Sequence, residues 1–167
     1  MFAVTTTAPV DLVTGAFSYS GSYIARRLLD ASRAVRTLSF HPDRPHPLQA
    51  SVQALPYRFD DPDALARSLD GVSTLYNTYW VRFDHGHTRF TQAIERSAAL
   101  FAAARQAGVE RIVHLSITNP SIDSTLPYFR GKALVEDALA DAGVPYSIIR
   151  PSRFSATRYS STSRSSG

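Results

Sequence analysis

The chain has 167 residues, no cysteine and a formal net charge of +4. This length allows one domain with a sizeable core, and the lack of cysteine excludes disulfides and thiolate metal sites. Three arginines lie in the last sixteen residues, so the first 151 residues carry 15 basic and 14 acidic side chains. Because this balance leaves no basic stripe, the charge argues against a nucleic-acid partner. His85 and His87 lack the further ligands that a metal site needs.

The sequence gives no sign of membrane insertion. It begins without a charged leader followed by an apolar stretch. Its longest run of small apolar residues, over 98–104, is far too short to span a bilayer. We therefore expect a cytoplasmic protein.

Short apolar segments with strand character alternate with segments of helical period along the chain. The predicted strands cover residues 10–14, 35–40, 52–57, 72–76, 111–116 and 146–149. The predicted helices cover residues 23–32, 61–70, 88–107 and 128–142. Strands that alternate with helices predict an α/β fold with a doubly wound parallel sheet of about six strands. Since no internal repeat or second domain is visible, residues 1–151 are predicted to form a single domain.

A glycine turn, T-G-A-F-S-Y-S-G, follows the first predicted strand. Gly15 and Gly21 lie six residues apart, between a strand and a helix. A dinucleotide-binding loop requires a tight turn at this place, with backbone amides at a helix N-terminus that face a pyrophosphate. The alternative is a generic strand–helix turn.

Lys132 is the only lysine beside seventeen arginines, and it follows Tyr128 by four residues in Y-F-R-G-K. At this spacing the two side chains share one face of a helix. A planar guanidinium cannot replace a compact ammonium, so the single lysine indicates a position that requires an ammonium. A free phenol titrates near pH ~10, so it needs a nearby cation to exchange protons near neutrality. The alternative is a partly buried tyrosine beside a solvated lysine.

The glycine turn and the tyrosine–lysine pair resemble the short-chain dehydrogenase/reductase superfamily. The resemblance is to its extended and atypical branches, the NAD-dependent epimerase/dehydratase and NmrA-like proteins. The family loop T-G-x-x-G-x-x-G maps onto Thr14, Gly15, Ser18 and Gly21, with Ser18 in place of the middle glycine. The resemblance covers residues 10 to 151 and implies a Rossmann-like domain that binds NADP or NAD, with Tyr19 as a further cofactor contact in the loop.

The resemblance also implies roles for later residues. Tyr128 would be the general acid/base, and Lys132 would bind the nicotinamide ribose hydroxyls and favour the phenolate. Ser116, at the end of the fifth strand, would hydrogen-bond a substrate carbonyl, with Thr118 as the second choice.

The resemblance places Asp60 or Asp61 beside the adenine. Capping of the helix that begins at Pro62 explains both aspartates equally well.

The end of the second predicted strand indicates the form of the cofactor. An acid there would hold a ribose hydroxyl, whereas a basic residue would suit a 2′-phosphate. The chain has Ser39, Phe40 and His41 at this place, followed by Arg44. The lack of an acid favours NADP(H), with His41 and Arg44 as candidate contacts, although Arg44 is equally explained as an exposed loop residue.

An aromatic segment follows the fourth predicted strand, at the sheet edge where ligands bind in such folds. Its residues are interpreted either as the wall of a nicotinamide or substrate pocket or as ordinary packing. They are Tyr76, Tyr79, Trp80 and Phe83.

Residues 152–167 differ from the rest of the chain. They include seven serines and three arginines without a hydrophobic period, so we expect them to be disordered.

Members of the resembling family continue with another strand and a small substrate-binding region, which this chain is expected to lack. A frameshift would account for the serine- and arginine-rich tail. Apolar surface left uncovered by the missing region would favour homo-oligomers.

Together these features predict an NAD(P)-dependent oxidoreductase or epimerase/dehydratase-like domain. It would act on a carbonyl or alcohol group of an unknown small-molecule substrate, with weak or no activity if the chain is truncated. The alternative is a non-catalytic NAD(P)-binding sensor or assembly subunit.

Overall fold

The computed structural model describes residues 9–81 and 87–152. This part of the chain forms six strands and four helices, which alternate except that β3 follows β2 directly. The strands are β1 (Val10–Val13), β2 (Ala34–Ser39), β3 (Val52–Pro56), β4 (Val72–Asn77), β5 (Arg111–Leu115) and β6 (Tyr146–Ile149). The helices are α1 (Tyr19–Asp30), α2 (Pro62–Arg67), α3 (His87–Gln106) and α4 (Pro127–Asp141).

The six strands form one parallel sheet in the order β3-β2-β1-β4-β5-β6. The chain first adds strands on one side of β1 and then moves to the other side, beginning with β4. Ligands of such sheets bind in the crevice outside the carboxyl ends of the strands at this reversal. The doubly wound, Rossmann-like sheet predicted from the sequence is confirmed.

Two apolar cores cover the sheet. The larger core packs α2, α3 and α4 against the strands, with Leu12, Leu75, Phe101 and Leu139 fully buried within it. The smaller core packs α1 against β1 and β2 around Val13. None of the helices in the described part of the chain has the length and apolar character needed to cross a membrane.

The first helix begins earlier than the sequence predicted. Its predicted start was Tyr23, but α1 begins at Tyr19, because Ser18 has extended backbone angles and its hydroxyl accepts a hydrogen bond from the Gly21 amide at 3.4 Å. A serine at this position stabilises the exposed amides of a helix N-terminus. The first turn of α1 therefore lies directly beside the glycine turn.

Gly21 brings α1 against the turn that precedes it. A Cβ atom on Gly21 would lie 2.1 Å from the carbonyl oxygen of Gly15 and 2.7 Å from its carbonyl carbon. Backbone atoms cannot move aside as a flexible side chain can. Only glycine therefore allows this approach, which sets the position of the α1 N-terminus.

We predict that Gly21→Ala lowers the free energy of unfolding by about 2–3 kcal/mol, because the added methyl group forces the turn and α1 apart. Urea denaturation measures the change. Ser22→Ala is the control, since it removes only an exposed hydrogen bond from the Ser22 hydroxyl to the Tyr19 carbonyl. Equal stabilities of the Gly21→Ala and Ser22→Ala variants would contradict the prediction.

Candidate active site

A cleft of about 630 Å³ lies at the carboxyl ends of β1, β2, β4 and β5. It is at the reversal in strand order, where the fold is expected to bind a ligand. Seven of the predicted catalytic and cofactor-binding residues line it. They are Gly15, Ser18, Tyr19, His41, Ser116, Tyr128 and Lys132.

Four predicted cofactor contacts are not part of this lining. Gly21 lies beneath the glycine turn, and Arg44 lies exposed in the loop after β2. Asp60 is exposed beside Arg58, at 3.4 Å from its Nε. Asp61 is the N-cap of α2, and its carboxylate accepts from the Ala64 amide at 2.9 Å. For Asp61 the capping interpretation is therefore the one that its contacts support.

The glycine turn presents its backbone to the cleft. Gly15 has a φ of +64°, a conformation that glycine adopts without steric cost. The Ser18 amide donates to the Gly15 carbonyl at 2.8 Å, which closes the turn. Ser18 and Ser20 line the cleft together with Tyr19, so the N-terminus of α1 is adjacent to it. A helix N-terminus at this place suits the pyrophosphate of a dinucleotide.

The charges around the cleft also suit an anion. Arg96 and Lys132 are among the residues that line it, whereas no aspartate or glutamate is part of the described lining. A concave site bordered by cations raises the local concentration of an anionic ligand. The described residues therefore fit a dinucleotide in both backbone geometry and charge.

A buried hydrogen-bond network forms the floor of the cleft. The Thr14 hydroxyl accepts from the Thr78 amide at 2.7 Å and donates to the Asn77 side-chain carbonyl at 3.2 Å. The Asn77 amide lies 3.0 Å from Nδ1 of His114. Burial, aided by the charge of Lys132, lowers the pKa of His114 to about 4. The imidazole is therefore neutral at neutral pH, and its Nδ1 can accept from Asn77.

Lys132 is held deep in the cleft wall, with only 4% of its surface exposed. Its ammonium donates to the Leu115 carbonyl at 3.4 Å and lies 4.5 Å from the centroid of the Trp80 ring. Burial lowers the pKa of Lys132 to about 8, although the Glu136 carboxylate acts in the opposite direction.

Tyr128 lies half-buried in the same wall, and its ring meets Trp80 edge-on at 6.0 Å between centroids. Burial raises the pKa of the Tyr128 phenol. The resemblance implied the opposite direction, with Lys132 favouring the phenolate. The difference has a physical reason: the shift comes from burial, and the ammonium is engaged by the Leu115 carbonyl and the Trp80 ring.

Ser116 is buried beside an ion pair. Arg150 donates from Nε to Glu136 at 3.0 Å and from Nη2 to the other carboxylate oxygen. Burial would raise the pKa of Glu136, but the hydrogen bond from Arg150 and the proximity of the Ser116 hydroxyl lower it overall. The hydroxyl itself makes no hydrogen bond of ordinary geometry within the described residues.

Gly131 allows the indole of Trp80 to pack against α4. A Cβ on Gly131 would lie 3.0 Å from the Cη2 atom of Trp80. Glycine within a helix is unfavourable by itself, so the close approach of this ring explains the residue.

The residues of the aromatic segment after β4 lie in different surroundings. Tyr79 and Trp80 line the cleft, whereas Tyr76 packs against the smaller core. Phe83 and His85 lie outside the described residues, and so does the side chain of His87.

Sequence reasoning did not identify Thr78 or Arg96, which both line the cleft. Thr78 directly follows β4, and its position beside the aromatic segment could have suggested it. Arg96 lies within α3, one of many arginines on helices, and no local pattern distinguishes it.

A parallel sheet in this order, with a glycine turn that faces the reversal, defines a Rossmann-type dinucleotide-binding domain. The model of the NAD(P)H-binding family matches residues 15–165. The chain belongs to this family, and its domain binds NAD(P).

Similar proteins include a reductase and several enzymes of known structure. The chain is 33% identical to a (4-alkanoyl-5-oxo-2,5-dihydrofuran-3-yl)methyl phosphate reductase from Streptomyces griseus over 146 residues. The matched region is 86% of this chain and 47% of the relative. Triphenylmethane reductase from Citrobacter sp., complexed with NADP(H), matches with a TM-score of 0.71 at 23% identity, over 85% of this chain and 48% of that one. The Bordetella bronchiseptica enzyme WbmH, complexed with NAD+, matches with a TM-score of 0.70 at 16% identity, over 86% of this chain and 56% of that enzyme. The chain thus spans about half the length of these relatives.

We predict that Gly131→Ala lowers the free energy of unfolding by about 1–2 kcal/mol because of overpacking, although alanine favours a helix by about 0.5–1 kcal/mol over glycine. In a Trp80→Leu background the same change should be neutral or stabilising. A double-mutant cycle followed by circular dichroism measures the coupling. Equal effects in both backgrounds would show that the ring does not explain Gly131.

We also predict a pH dependence of stability from Lys132. Its pKa is about 8 in the folded chain against an ordinary 10.5, so the unfolded state binds more protons between these values. The free energy of unfolding therefore rises with pH across this window, by roughly 1–3 kcal/mol. The cost of burying the charge is fully present below about pH 8.

The measurement compares the natural chain with Lys132→Met by denaturant unfolding at several pH values. Tyrosine ionisation affects both proteins, so the difference between them isolates Lys132. A difference that stays constant from neutral to alkaline pH would be incompatible with a lowered lysine pKa.

Proposed function

We propose that the chain acts in the NAD(P)H-dependent reduction of a carbonyl compound, with Tyr128 as the proton donor. The observation that carries the proposal is that Tyr128, Ser116 and Lys132 line the same cleft as the glycine turn. The relative from Streptomyces griseus, at 33% identity, is a reductase. Since this chain spans about half of that protein, the activity is proposed for the cleft and its residues.

The protonation state of Tyr128 favours reduction over oxidation. Burial raises the pKa of its phenol, so the phenol keeps its proton at neutral pH. NAD(P)H bound in the cleft would supply the hydride for the carbonyl carbon. The Tyr128 phenol gives its proton to the carbonyl oxygen, and a proton from solvent restores the phenol. The chain's acid thus balances the charge that would otherwise remain on the product oxygen.

Ser116 and Lys132, which line the same cleft as Tyr128, support this step in different ways. The Ser116 hydroxyl, buried and without an ordinary hydrogen bond in the described structure, can donate to the same carbonyl oxygen and so orient it. The Lys132 ammonium lies beside the Leu115 carbonyl, one residue before Ser116. It places a cation near the proton donor, where it stabilises negative charge on the phenolate after proton transfer.

A second candidate function is non-catalytic NAD(P) binding, as in a sensor. The specific observation in its favour is the engagement of the Lys132 ammonium by Trp80 and the Leu115 carbonyl. An ammonium held in this way stabilises a phenolate less than a free one would. The two functions differ in turnover and agree in dinucleotide binding.

We predict that Tyr128→Phe leaves the dissociation constants of NADPH and NADH within about twofold but lowers kcat by roughly 10²–10⁴-fold, because the proton donor is lost. Binding is measured by calorimetry. Turnover is measured from nicotinamide absorbance with a panel of carbonyl compounds that includes the alkanoyl-dihydrofuranone phosphate of the Streptomyces relative.

The control is Tyr146→Phe, which removes an exposed hydroxyl on β6 and should change neither quantity. Turnover that survives in Tyr128→Phe would reject Tyr128 as the donor. Tight binding without turnover of any panel compound by the natural chain would favour the sensor. The absence of binding would reject both functions.

A further inference from the structure

We infer that Arg96 selects NADP(H) over NAD(H) by binding the 2′-phosphate of the adenosine ribose. The inference rests on dinucleotide binding in the cleft described above. It assigns the choice of cofactor to a residue of α3 instead of the loop that follows β2, where Arg44 lies.

Arg96 reaches the end of β2 although it belongs to a different element. Its guanidinium carbon lies 5.3 Å from the ring centroid of Phe40 and 5.3 Å from that of Phe59. Phe40 directly follows the last residue of β2. In Rossmann folds the ribose 2′ position is recognised at this place. The guanidinium therefore lies where a 2′-phosphate is expected, and it lines the cleft.

The guanidinium of Arg96 contacts aromatic rings and a hydroxyl, and its charge is not neutralised by a carboxylate of the described residues. Within the described part of the chain, no carboxylate lies at ion-pair distance from its guanidinium. Its polar contact is to the Tyr79 hydroxyl, at a long 3.5 Å. No acid lines the described cleft to repel a phosphate or to bind a ribose hydroxyl instead.

The aromatic residues around Arg96 restrict its side chain. Tyr57 and Phe59 stack at 4.9 Å between centroids, and Phe40 packs on Tyr57 at 4.7 Å. A guanidinium held over such rings can still offer N–H groups for hydrogen bonds to phosphate oxygens. Less rotational freedom is then lost on binding. The arrangement differs from that of Arg44, which lies exposed in the loop and outside the cleft lining.

The test measures NADPH and NADH binding by calorimetry for the natural chain, Arg96→Gln and Arg44→Gln. We expect the natural chain to prefer NADPH. Arg96→Gln should weaken NADPH roughly 10–100-fold, as expected for the loss of charge-assisted hydrogen bonds, and should change NADH less than about twofold. Arg44→Gln should change neither.

Adenosine 2′,5′-bisphosphate and 5′-AMP isolate the phosphate from the rest of the dinucleotide. Arg96→Gln should weaken the bisphosphate and leave 5′-AMP nearly unchanged. Arg96→Lys, which keeps the charge but not the planar fork, should lie between the natural chain and Arg96→Gln, and it replaces Arg96→Gln if that variant fails to fold.

Three results would overturn the inference while dinucleotide binding stands: equal binding of NADPH and NADH by the natural chain, equal losses for both in Arg96→Gln, or a selective loss of NADPH in Arg44→Gln. Failure of the natural chain to bind any dinucleotide would instead overturn the proposed function, and this inference with it.

Discussion

The hydrogen bonds between the ends of β1 and β4 hold the point at which the sheet reverses its order. The Thr14 hydroxyl accepts from the Thr78 amide, and the Thr78 hydroxyl donates to the Thr14 carbonyl at 2.5 Å. Beyond this junction the chain after β1 turns into α1, while the chain after β4 continues to Trp80. The groups are buried or partly buried, so breaking any of these bonds would leave an unsatisfied polar atom. The junction therefore fixes the distance between the glycine turn and the wall that carries Tyr128.

The position of Lys132 explains several features around it. Burying an ammonium is costly, and this cost is offset by the Leu115 carbonyl, the face of Trp80 and the carboxylate of Glu136. Trp80 reaches this position only because Gly131 leaves room for its ring. A guanidinium, which is larger and carries five N–H donors, would find too few partners here. This explains in physical terms why the only lysine of an arginine-rich chain stands at this position.

The fold could be predicted from sequence because the evidence for it is local. Apolar strands alternate with helical segments, and parallel connections of this kind allow few arrangements. The apolar spacing predicts a start of α1 at Tyr23, whereas the cap formed by Ser18 sets the start at Tyr19. The seven cleft residues found from sequence lie in recognisable motifs or directly after strands. Arg96 could not be found in this way, since its place beside Phe40 results from packing between residues far apart in the chain.

The environment of Tyr128 limits the chemistry that the cleft can perform. A general base must lose its proton near the working pH, whereas a general acid must keep it until the transition state. Burial raises the pKa of Tyr128, and the nearest ammonium is held by the Trp80 ring and a backbone carbonyl. For the proposed reduction, Tyr128 is therefore already in the protonated form that a proton donor requires, whereas oxidation would require the phenol to lose its proton first.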